Sequence, residues 1–208
     1  MSAAISYPNT IAPPLHTPSS VLREYRESVC AELSAEHDRR ALRILALGSA
    51  GLRDAETALM RLRYFERHSV TVLDEDPWRI AACKEEYGQL GIRYIEGLLD
   101  DPAFTMPGEY DLIYNLNGLA ARADWDAKGW LSRILEVLAP GGRLVLATFT
   151  PEWSKLCREA GCKGGSPAFS RDEHQLTELI TRLPAESFLG YAIWTDSSST
   201  IACLELAK

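Results

Sequence analysis

Three short segments of this sequence carry residue types that bind nucleotide-like ligands. One is Gly48-Ser-Ala-Gly51, where an apolar run gives way to small residues; the others are Asp74 and Asn115, each directly after an apolar run. A turn of small residues between a strand and a helix presents backbone N–H groups and the positive end of the helix dipole to a ligand. A carboxylate about twenty residues further on, at the end of the next strand, can accept both hydroxyls of a ribose. The three segments therefore predict a site for a ligand that contains a ribose.

The same segments argue against the commonest nucleotide ligands. The dinucleotide fingerprint needs glycine at its first, third and sixth positions. Counted from Gly48, the third and sixth positions are Ala50 and Arg53, and the arginine stands where a helix-packing glycine is needed. The sequence also lacks the Gly-Lys-Ser/Thr loop that binds nucleoside triphosphates. A ribose ligand that needs no pyrophosphate turn, and that offers a carboxylate to a helix N-terminus, fits S-adenosylmethionine.

Strands and helices alternate around these segments. Apolar periodicity predicts strands over 44–47, 70–73, 92–95, 110–114, 143–149, 187–195 and 200–207, the last two as a hairpin. It predicts helices over about 21–37, 55–65, 77–90, 127–138 and 171–183, and a long loop over 150–170. Asp76 is expected to cap the helix that begins at Pro77. This order predicts an α/β protein with a doubly wound, mostly parallel sheet, whose ligands bind at the carboxyl ends of the strands.

Length, composition and charge limit the organisation and the partners. The chain has 208 residues, and we expect an irregular, proline-containing arm over 1–20 and a single domain over 21–208 that begins with a helix within 21–39. A formal net charge of −7 argues against a nucleic-acid partner, since that affinity rests largely on Lys and Arg. No secretory signal and no apolar run of about 20 residues is visible, so no membrane partner is expected. The five scattered cysteines are then expected to be free thiols in a cytoplasmic protein, and the oligomeric state stays open.

Metal and acid–base groups give weaker signals. Cys157, Cys162 and His174 lack a paired Cys-x-x-Cys spacing and a fourth ligand, so no metal site is expected. His174 lies near the start of a helix and is expected to be a surface or capping residue. No catalytic residue is assigned.

From about residue 40 to the end, the chain resembles the class I S-adenosylmethionine-dependent methyltransferases. The resemblance lies in four motifs in the family's order and spacing, RILALGSAG, VTVLDEDPWRI, YDLIYNLNGL and ILEVLAPGGRLVLATF. It implies a Rossmann-like, seven-stranded sheet with an antiparallel last strand and flanking helices, and S-adenosylmethionine as the cofactor. The implied activity is in-line methyl transfer. We expect a small-molecule acceptor, because the sequence has no large extra domain to hold a macromolecule.

The resemblance also implies a role for each site residue. Small residues of the turn would face the methionine part and the ribose, acidic residues after the second strand would hold the ribose and the adenine edge, two leucines would flank the base, and an asparagine would lie near the methionine end. In that order these are Gly48, Ser49, Ala50 and Gly51; Asp74 and Glu75; Leu98 and Leu99; and Asn115.

Three positions depart from the family pattern. Ala46 and Leu98 stand where many members carry an acid, and Ala50 stands for the middle glycine. Asp54 is expected to contact the ammonium group in place of an acid at 46, and Asp100 to replace the acid at 98. The departures keep two alternatives open, a non-catalytic S-adenosylmethionine-binding module and an enzyme that transfers aminopropyl groups from the decarboxylated cofactor. The three segments also have structural alternatives without a ligand: tight packing for the glycine turn, a turn or capping role for Asp74, and turn formation for Asn115.

Overall fold

A computed structural model describes residues 40–48, 68–97, 101, 103–116, 127–159, 172–195 and 201–208. The strands in these ranges are β1 Arg43–Leu47, β2 Ser69–Asp74, β3 Arg93–Glu96, β4 Tyr110–Leu116, β5 Leu138–Phe149, β6 Gly190–Thr195 and β7 Ile201–Ala207. Together they form one sheet in the order β3-β2-β1-β4-β5-β7-β6.

Helices connect several of these strands. Helix α1 is Pro77–Tyr87, followed by a 3₁₀ turn over Gly88–Leu90. Helix α2 consists of a π-helical turn, Ala127–Leu131, continued by the α-helical Ser132–Glu136. Helix α3 is Pro151–Glu159 and helix α4 is Glu173–Thr181, with a 3₁₀ turn over Ala185–Ser187 before β6. None of the helices in the described ranges has the length and apolar character needed to cross a membrane.

The direction of the strands decides where a ligand can bind. β1 runs parallel to β2 and β4, β2 to β3, and β4 to β5, whereas β7 runs antiparallel to both β5 and β6. The carboxyl ends of β1 to β5 therefore meet at one edge of the sheet. The chain moves outward from β1 to β3 and then returns to the other side of β1 for β4, so the switch in strand order lies between β1 and β4. In open α/β sheets this is the position where ligands bind.

The core explains the apolar runs in the sequence. Strand β1 is buried on both faces, with Ile44, Leu45 and Ala46 fully inaccessible to solvent, as expected for a central parallel strand. On one face the strands pack against α2 and α4 in a single apolar cluster that includes Leu45, Leu47, Ile113, Leu144, Leu146, Leu204, Leu206, Trp130, Ile134, Leu135, Leu176 and Ile180. This packing fixes the carboxyl ends of the strands relative to one another.

The opposite, amino-terminal edge of the sheet is fastened by charged groups. The carboxylate of Asp111, in β4, accepts hydrogen bonds from the backbone N–H of Arg43 (2.8 Å), from its Nε (3.1 Å) and Nη2 (3.0 Å), and from Nη2 of Arg40 (2.9 Å). Glu109 accepts a further bond from Nη1 of Arg43 at 3.0 Å. Nearby, Nδ1 of the buried His68 accepts a hydrogen bond from the backbone N–H of Leu42 at 2.8 Å. These contacts join the start of β1 to β4 and to the segment that enters β2.

The predicted fold class, a doubly wound and mostly parallel sheet with an antiparallel last strand, is confirmed. So is the cap of α1, because the carboxylate of Asp76 accepts from the N–H groups of Trp78 and Arg79, with Pro77 at the first position. The terminal hairpin is also present as β6 and β7. The predicted arm over 1–20 and the helices predicted over 21–37 and 55–65 lie outside the described residues.

Two details of the sequence prediction were wrong. Part of the loop predicted over 150–170 is helix α3, whose start is stabilised by Thr150: its hydroxyl accepts from the N–H of Trp153 at 3.3 Å, and its carbonyl accepts from that of Ser154 at 3.2 Å. The strand predicted over 143–149 begins earlier, at Leu138, so Ala139-Pro-Gly-Gly142 lies inside β5. Its register against β4 shifts between Tyr110 and Leu112, so the proline and glycines form an irregularity within the strand and do not end it.

Candidate functional site

The turn after β1 begins with Gly48, whose backbone has a φ of +88°. This left-handed conformation favours glycine, because a Cβ is poorly tolerated there. The N–H of Gly48 donates to the carbonyl of Leu73 at 2.7 Å, so the turn starts level with the end of β2. The sequence puts glycine at the point where the chain must leave the sheet sharply, at the edge where ligands bind.

Asp74 is the last residue of β2 and is buried, with 5% of its surface exposed. Its Oδ1 accepts a hydrogen bond from the backbone N–H of Asp76 at 2.9 Å, which orients the carboxylate at the start of α1. Its carbonyl accepts from the N–H of Gly97 at 3.0 Å, which joins the end of β2 to the residue after β3. Glu75, the next residue, is exposed.

Asn115 lies near the end of β4, directly across the switch point from the β1 turn. Its side-chain Nδ2 donates to the carbonyl of Leu47 at 2.5 Å, and the residue is 1% exposed. A Cβ built on Gly48 would lie 3.7 Å from that Nδ2. The Asn115 amide therefore joins β4 to the carbonyl of Leu47, the last residue of β1, and lies beside Gly48.

Strand β5 extends past the end of β4 on the same edge. The last paired residues of these strands are Leu116 and Ala147, so Thr148 and Phe149 continue beyond β4. The ring of Phe149 is stacked on that of Trp153 in α3, with centroids 5.2 Å apart and planes 16° from parallel. Thr148, Thr150 and Ser154 are buried here as well. This part of the edge is aromatic and hydroxyl-bearing, in contrast to Gly48 and the Asp74 carboxylate at the ends of β1 and β2.

No protein-family model and no curated protein sequence matches this chain, but many solved structures share its fold. The plantazolicin methyltransferase BpumL, solved with a triazolic desmethylPZN analog and SAH, matches with a TM-score of 0.72 at 13% identity over 93% of this chain and 86% of BpumL. The N-methyltransferase NodS from Bradyrhizobium japonicum WM9, in complex with S-adenosyl-L-homocysteine, matches with a TM-score of 0.56 at 18% identity over 92% of this chain and 88% of NodS. The CurJ carbon methyltransferase matches with a TM-score of 0.60 at 18% identity over 81% of this chain, but this chain spans only 48% of the CurJ chain.

The chain has the class I S-adenosylmethionine-dependent methyltransferase fold. Within this methyltransferase fold, three of the predicted site residues come together at adjacent strand ends. Gly48 and Asp74 are linked through the hydrogen bond from Gly48 to Leu73, and Gly48 and Asn115 through the bond from Asn115 to Leu47. Their roles toward a ligand stay predictions.

The remaining predicted site residues are divided between the described and the undescribed parts of the chain. Glu75 is described and is exposed beside Asp74. Ser49, Ala50, Gly51, Asp54, Leu98 and Leu99, together with Asp100, lie outside the described residues.

His174 lies on the solvent-exposed surface of α4. Its side chain is 81% exposed, with Nε2 3.6 Å from Oε1 of Glu178 one turn along α4. The described ranges contain no group of three or more His, Cys, Asp or Glu side chains that could hold a metal ion.

Two features of this edge were missed from the sequence. The Phe149–Trp153 stack depends on α3, which the Thr150-Pro151 pair could have indicated as a helix start. The contact of Gly97 with the ring of Phe104, where a Cβ would lie 2.3 Å from Cε2, has no local sequence signal because it joins residues across a loop.

Proposed function

We propose that this chain is an S-adenosylmethionine-dependent methyltransferase that acts on a small-molecule acceptor by in-line methyl transfer. The observation that carries the proposal is the alignment of Gly48, Asp74 and Asn115 at the carboxyl ends of β1, β2 and β4. These residue types suit the turn, the ribose and the amino-acid end of such a ligand. They lie at the switch point of a fold that solved methyltransferases share.

The described residues fit the cofactor. A carboxylate accepts hydrogen bonds through two oxygens, which suits ribose hydroxyls, and the bond from the N–H of Asp76 fixes the direction of the Asp74 carboxylate at this edge of the sheet. The positive φ of Gly48 lets the backbone pass close to a ligand without a side chain. We propose that Asp74 and Glu75 hold the ribose and the adenine edge, and that Asn115 lies near the methionine end.

The same proposal covers predicted contacts outside the described residues. They are Ser49, Ala50 and Gly51 at the methionine part and ribose, Asp54 at the ammonium group, and Leu98 and Leu99 beside the base.

The chemistry asks little of the protein beyond positioning. When bound, S-adenosylmethionine supplies a methyl group on a sulfonium that is already an activated leaving group. The work of this chain is then to orient an acceptor and to exclude water. We place the acceptor over β5, next to Asn115 in β4, since the cofactor residues lie over β1, β2 and β4. The half-buried Phe149, backed by Trp153, offers an aromatic face there, which favours an apolar or planar small molecule.

Binding experiments test the cofactor first. Isothermal titration calorimetry of the full chain with S-adenosylmethionine, S-adenosylhomocysteine and NAD should give binding to the first two and none to NAD. Asp74→Ala should weaken S-adenosylhomocysteine binding about 10- to 100-fold, because hydrogen bonds to a charged group contribute about 1.5–3 kcal/mol. Asp111→Asn is the matched control, since Asp111 lies at the opposite edge of the sheet and should bind as the wild type does. Absence of binding to both sulfur ligands would contradict the proposal.

Turnover separates an enzyme from a binding module. The release of S-adenosylhomocysteine from S-adenosylmethionine, measured against a panel of planar and apolar small molecules, should rise with at least one acceptor. A chain that binds the cofactor but stays silent with every acceptor would favour the non-catalytic module. The single-domain organisation over 21–208, the cytoplasmic location and the lack of a nucleic-acid partner also stay predictions.

A further inference from the structure

Two kinds of contact hold the described residues that follow β3. The ring of Phe104 occupies the space above Gly97 that a side chain would take, since a Cβ there would lie 2.3 Å from Cε2 and 2.5 Å from Cζ. Arg133, in α2, donates from Nη1 to the carbonyl of Asp101 at 2.8 Å and from Nη2 to the carbonyl of Phe104 at 2.9 Å. We name Gly97, Phe104 and Arg133 the loop clamp.

Asp101 and Phe104, whose carbonyls accept from Arg133, are also joined to each other in a turn. The carbonyl of Asp101 also accepts from the N–H of Phe104 at 3.0 Å, and the Asp101 carboxylate accepts from the N–H of Ala103 at 2.8 Å. The guanidinium therefore adds two charge-assisted bonds to a turn whose geometry is already set. A planar guanidinium that bridges two carbonyls in this way fixes their orientation as well as their distance.

Both outer parts of the clamp are anchored in the core. The neighbours of Arg133 along α2, Leu131 and Ile134, are fully buried, and the Phe104 ring packs against the same apolar cluster. Because packed interiors resist small displacements, the turn cannot move without disturbing this cluster. The clamp thus fixes Gly97, at the end of β3, relative to α2.

The clamp meets the candidate cofactor site at Gly97. The N–H of Gly97 donates to the carbonyl of Asp74, the residue proposed to hold the ribose. Across the sheet the strand ends follow in the order β4, β1, β2, β3, which places Asn115, Gly48, Asp74 and Gly97 in sequence. A ligand with its amino-acid end over Asn115 and Gly48 and its ribose at Asp74 extends its base toward Gly97.

We propose that the loop clamp positions the base-binding end of the cofactor site. Arg133 is a positioning residue in this proposal, because it acts through the backbone of Asp101 and Phe104. The proposal rests on the proposed function, since it takes a purine-bearing cofactor as the ligand. It predicts that loss of the clamp impairs recognition of the base more than recognition of the rest of the molecule.

Two ligands that differ only at position 6 of the purine test this point. We expect wild-type protein to bind S-adenosylhomocysteine more tightly than S-inosylhomocysteine in calorimetry. Arg133→Met should raise the Kd for S-adenosylhomocysteine about tenfold, equal to about 1.4 kcal/mol, and should reduce the preference for adenine at least threefold. Arg133→Lys keeps a cationic donor for one carbonyl, so its Kd and its preference for adenine should lie between those of the wild type and Arg133→Met. Arg158→Met, on the exposed surface of α3, is the matched control. Its Kd for S-adenosylhomocysteine and its preference for adenine should equal those of the wild type.

The outcomes separate the two proposals. If the wild type binds neither ligand, the proposed function is wrong, and the role of the clamp is wrong with it. If the wild type binds but Arg133→Met weakens both ligands equally, Arg133 has only a general structural role and the clamp proposal alone is overturned.

A second variant pair covers the case in which Arg133→Met does not fold. Gly97→Ala should displace the Phe104 ring, weaken S-adenosylhomocysteine binding about fivefold and reduce the preference for S-adenosylhomocysteine over S-inosylhomocysteine at least threefold. Gly88→Ala, where a Cβ would meet nothing within 4 Å, should bind as the wild type does. A Gly97→Ala variant that binds both ligands as the wild type does, or that weakens both equally, would overturn the proposal.

Discussion

The sheet holds a buried aspartate at each edge, and the two have different surroundings. Asp111, at the amino-terminal edge, is 1% exposed and accepts hydrogen bonds from two arginines. Asp74, at the carboxyl-terminal edge, is 5% exposed, and its Oδ1 accepts from the neutral backbone N–H of Asp76. A carboxylate enclosed by cations stabilises the fold, whereas one oriented by the backbone at the ligand-binding edge suits a hydroxyl-bearing ligand. Burial alone therefore does not reveal the role of a carboxylate; its partners do.

The effect of the arginines is visible in the acidity of Asp111. Burial on its own raises the pKa of this carboxyl, but the hydrogen bonds from Arg43 and the charges of Arg43 and Arg40 outweigh it, so the pKa lies below its usual value. Conversely, the pKa of Arg43 is raised, chiefly by its hydrogen bond to Asp111. In β7, burial raises the pKa of Glu205 even with the guanidinium of Arg143 at 2.9 Å. At the amino-terminal edge, by contrast, several donors converge on the carboxylate of Asp111.

The largest expected effect comes from removing the amino-edge aspartate. Asp111→Ala should lower the free energy of unfolding by about 2–3 kcal/mol, because it removes the acceptor for one backbone and three side-chain donors. This loss of unfolding free energy is smaller than is usual on breaking a buried ion pair, because the side chains of Arg40 and Arg43 are 47% and 40% exposed and water can solvate them. Urea denaturation followed by circular dichroism measures the change.

Glu109→Gln is the control for that variant. The Glu109 side chain is 52% exposed, so its pair with Arg43 should contribute less than about 0.5 kcal/mol. At temperatures where both variants are folded, their Kd values for S-adenosylhomocysteine should match the wild type within twofold. A stability loss below 1 kcal/mol for Asp111→Ala would contradict the structural role that we give this edge.

At the carboxyl-terminal edge, Gly48→Ala should lower the affinity for the cofactor more than the stability of the fold, the reverse of Asp111→Ala. An alanine at a φ of +88° is strained by about 1–2 kcal/mol, while its Cβ would lie at an ordinary contact distance of 3.7 Å from Asn115 Nδ2. We expect the β1 turn to relax and S-adenosylhomocysteine to bind at least tenfold more weakly, with a smaller stability loss than in Asp111→Ala. Titration calorimetry and urea denaturation of the same preparation provide both numbers. Unchanged affinity in Gly48→Ala would mean that the turn does not approach the ligand.

The sequence predicted the carboxyl-terminal edge better than the amino-terminal one for a physical reason. Local signals mark the first: a glycine that ends an apolar run, an aspartate that ends the next, and the cap that Asp76 provides to α1. The strand directions that bring Gly48, Asp74 and Asn115 together follow from the alternation of strands and helices. The fold class and the proximity of these three residues could therefore be predicted from local patterns, while their roles toward a ligand stay predictions.

What the sequence could not predict depends on contacts between distant residues. The bonds of Asp111 to Arg43 join positions that are 68 residues apart, and those of Arg133 to Asp101 join positions that are 32 apart. No periodicity or motif records such partners, because each side chain alone looks like an ordinary surface charge. Helix α3 is a different case. Its start signal at Thr150 and Pro151 is local, but the sequence prediction assigned all of 150–170 to a loop.

A smaller effect than those of Asp111→Ala and Gly48→Ala tests the charge of Asp111 separately from its shape. Asp111→Asn keeps an oxygen acceptor but removes the negative charge, so we expect about 1 kcal/mol less stability than the wild type at pH 7. The folded-state pKa of Asp111 lies below the unfolded value of about 3.9, so its contribution is fully present above that value and is lost as the pH falls through the folded pKa. The difference between wild type and Asp111→Asn should therefore be constant from pH 7 to 5 and should shrink below about pH 4. Urea denaturation at fixed ionic strength measures it, because added salt would itself weaken the exposed arginine charges. A difference that persists undiminished at low pH would show that the amide nitrogen disturbs the hydrogen bonds, and that the charge of Asp111 is not what distinguishes this edge from the one at Asp74.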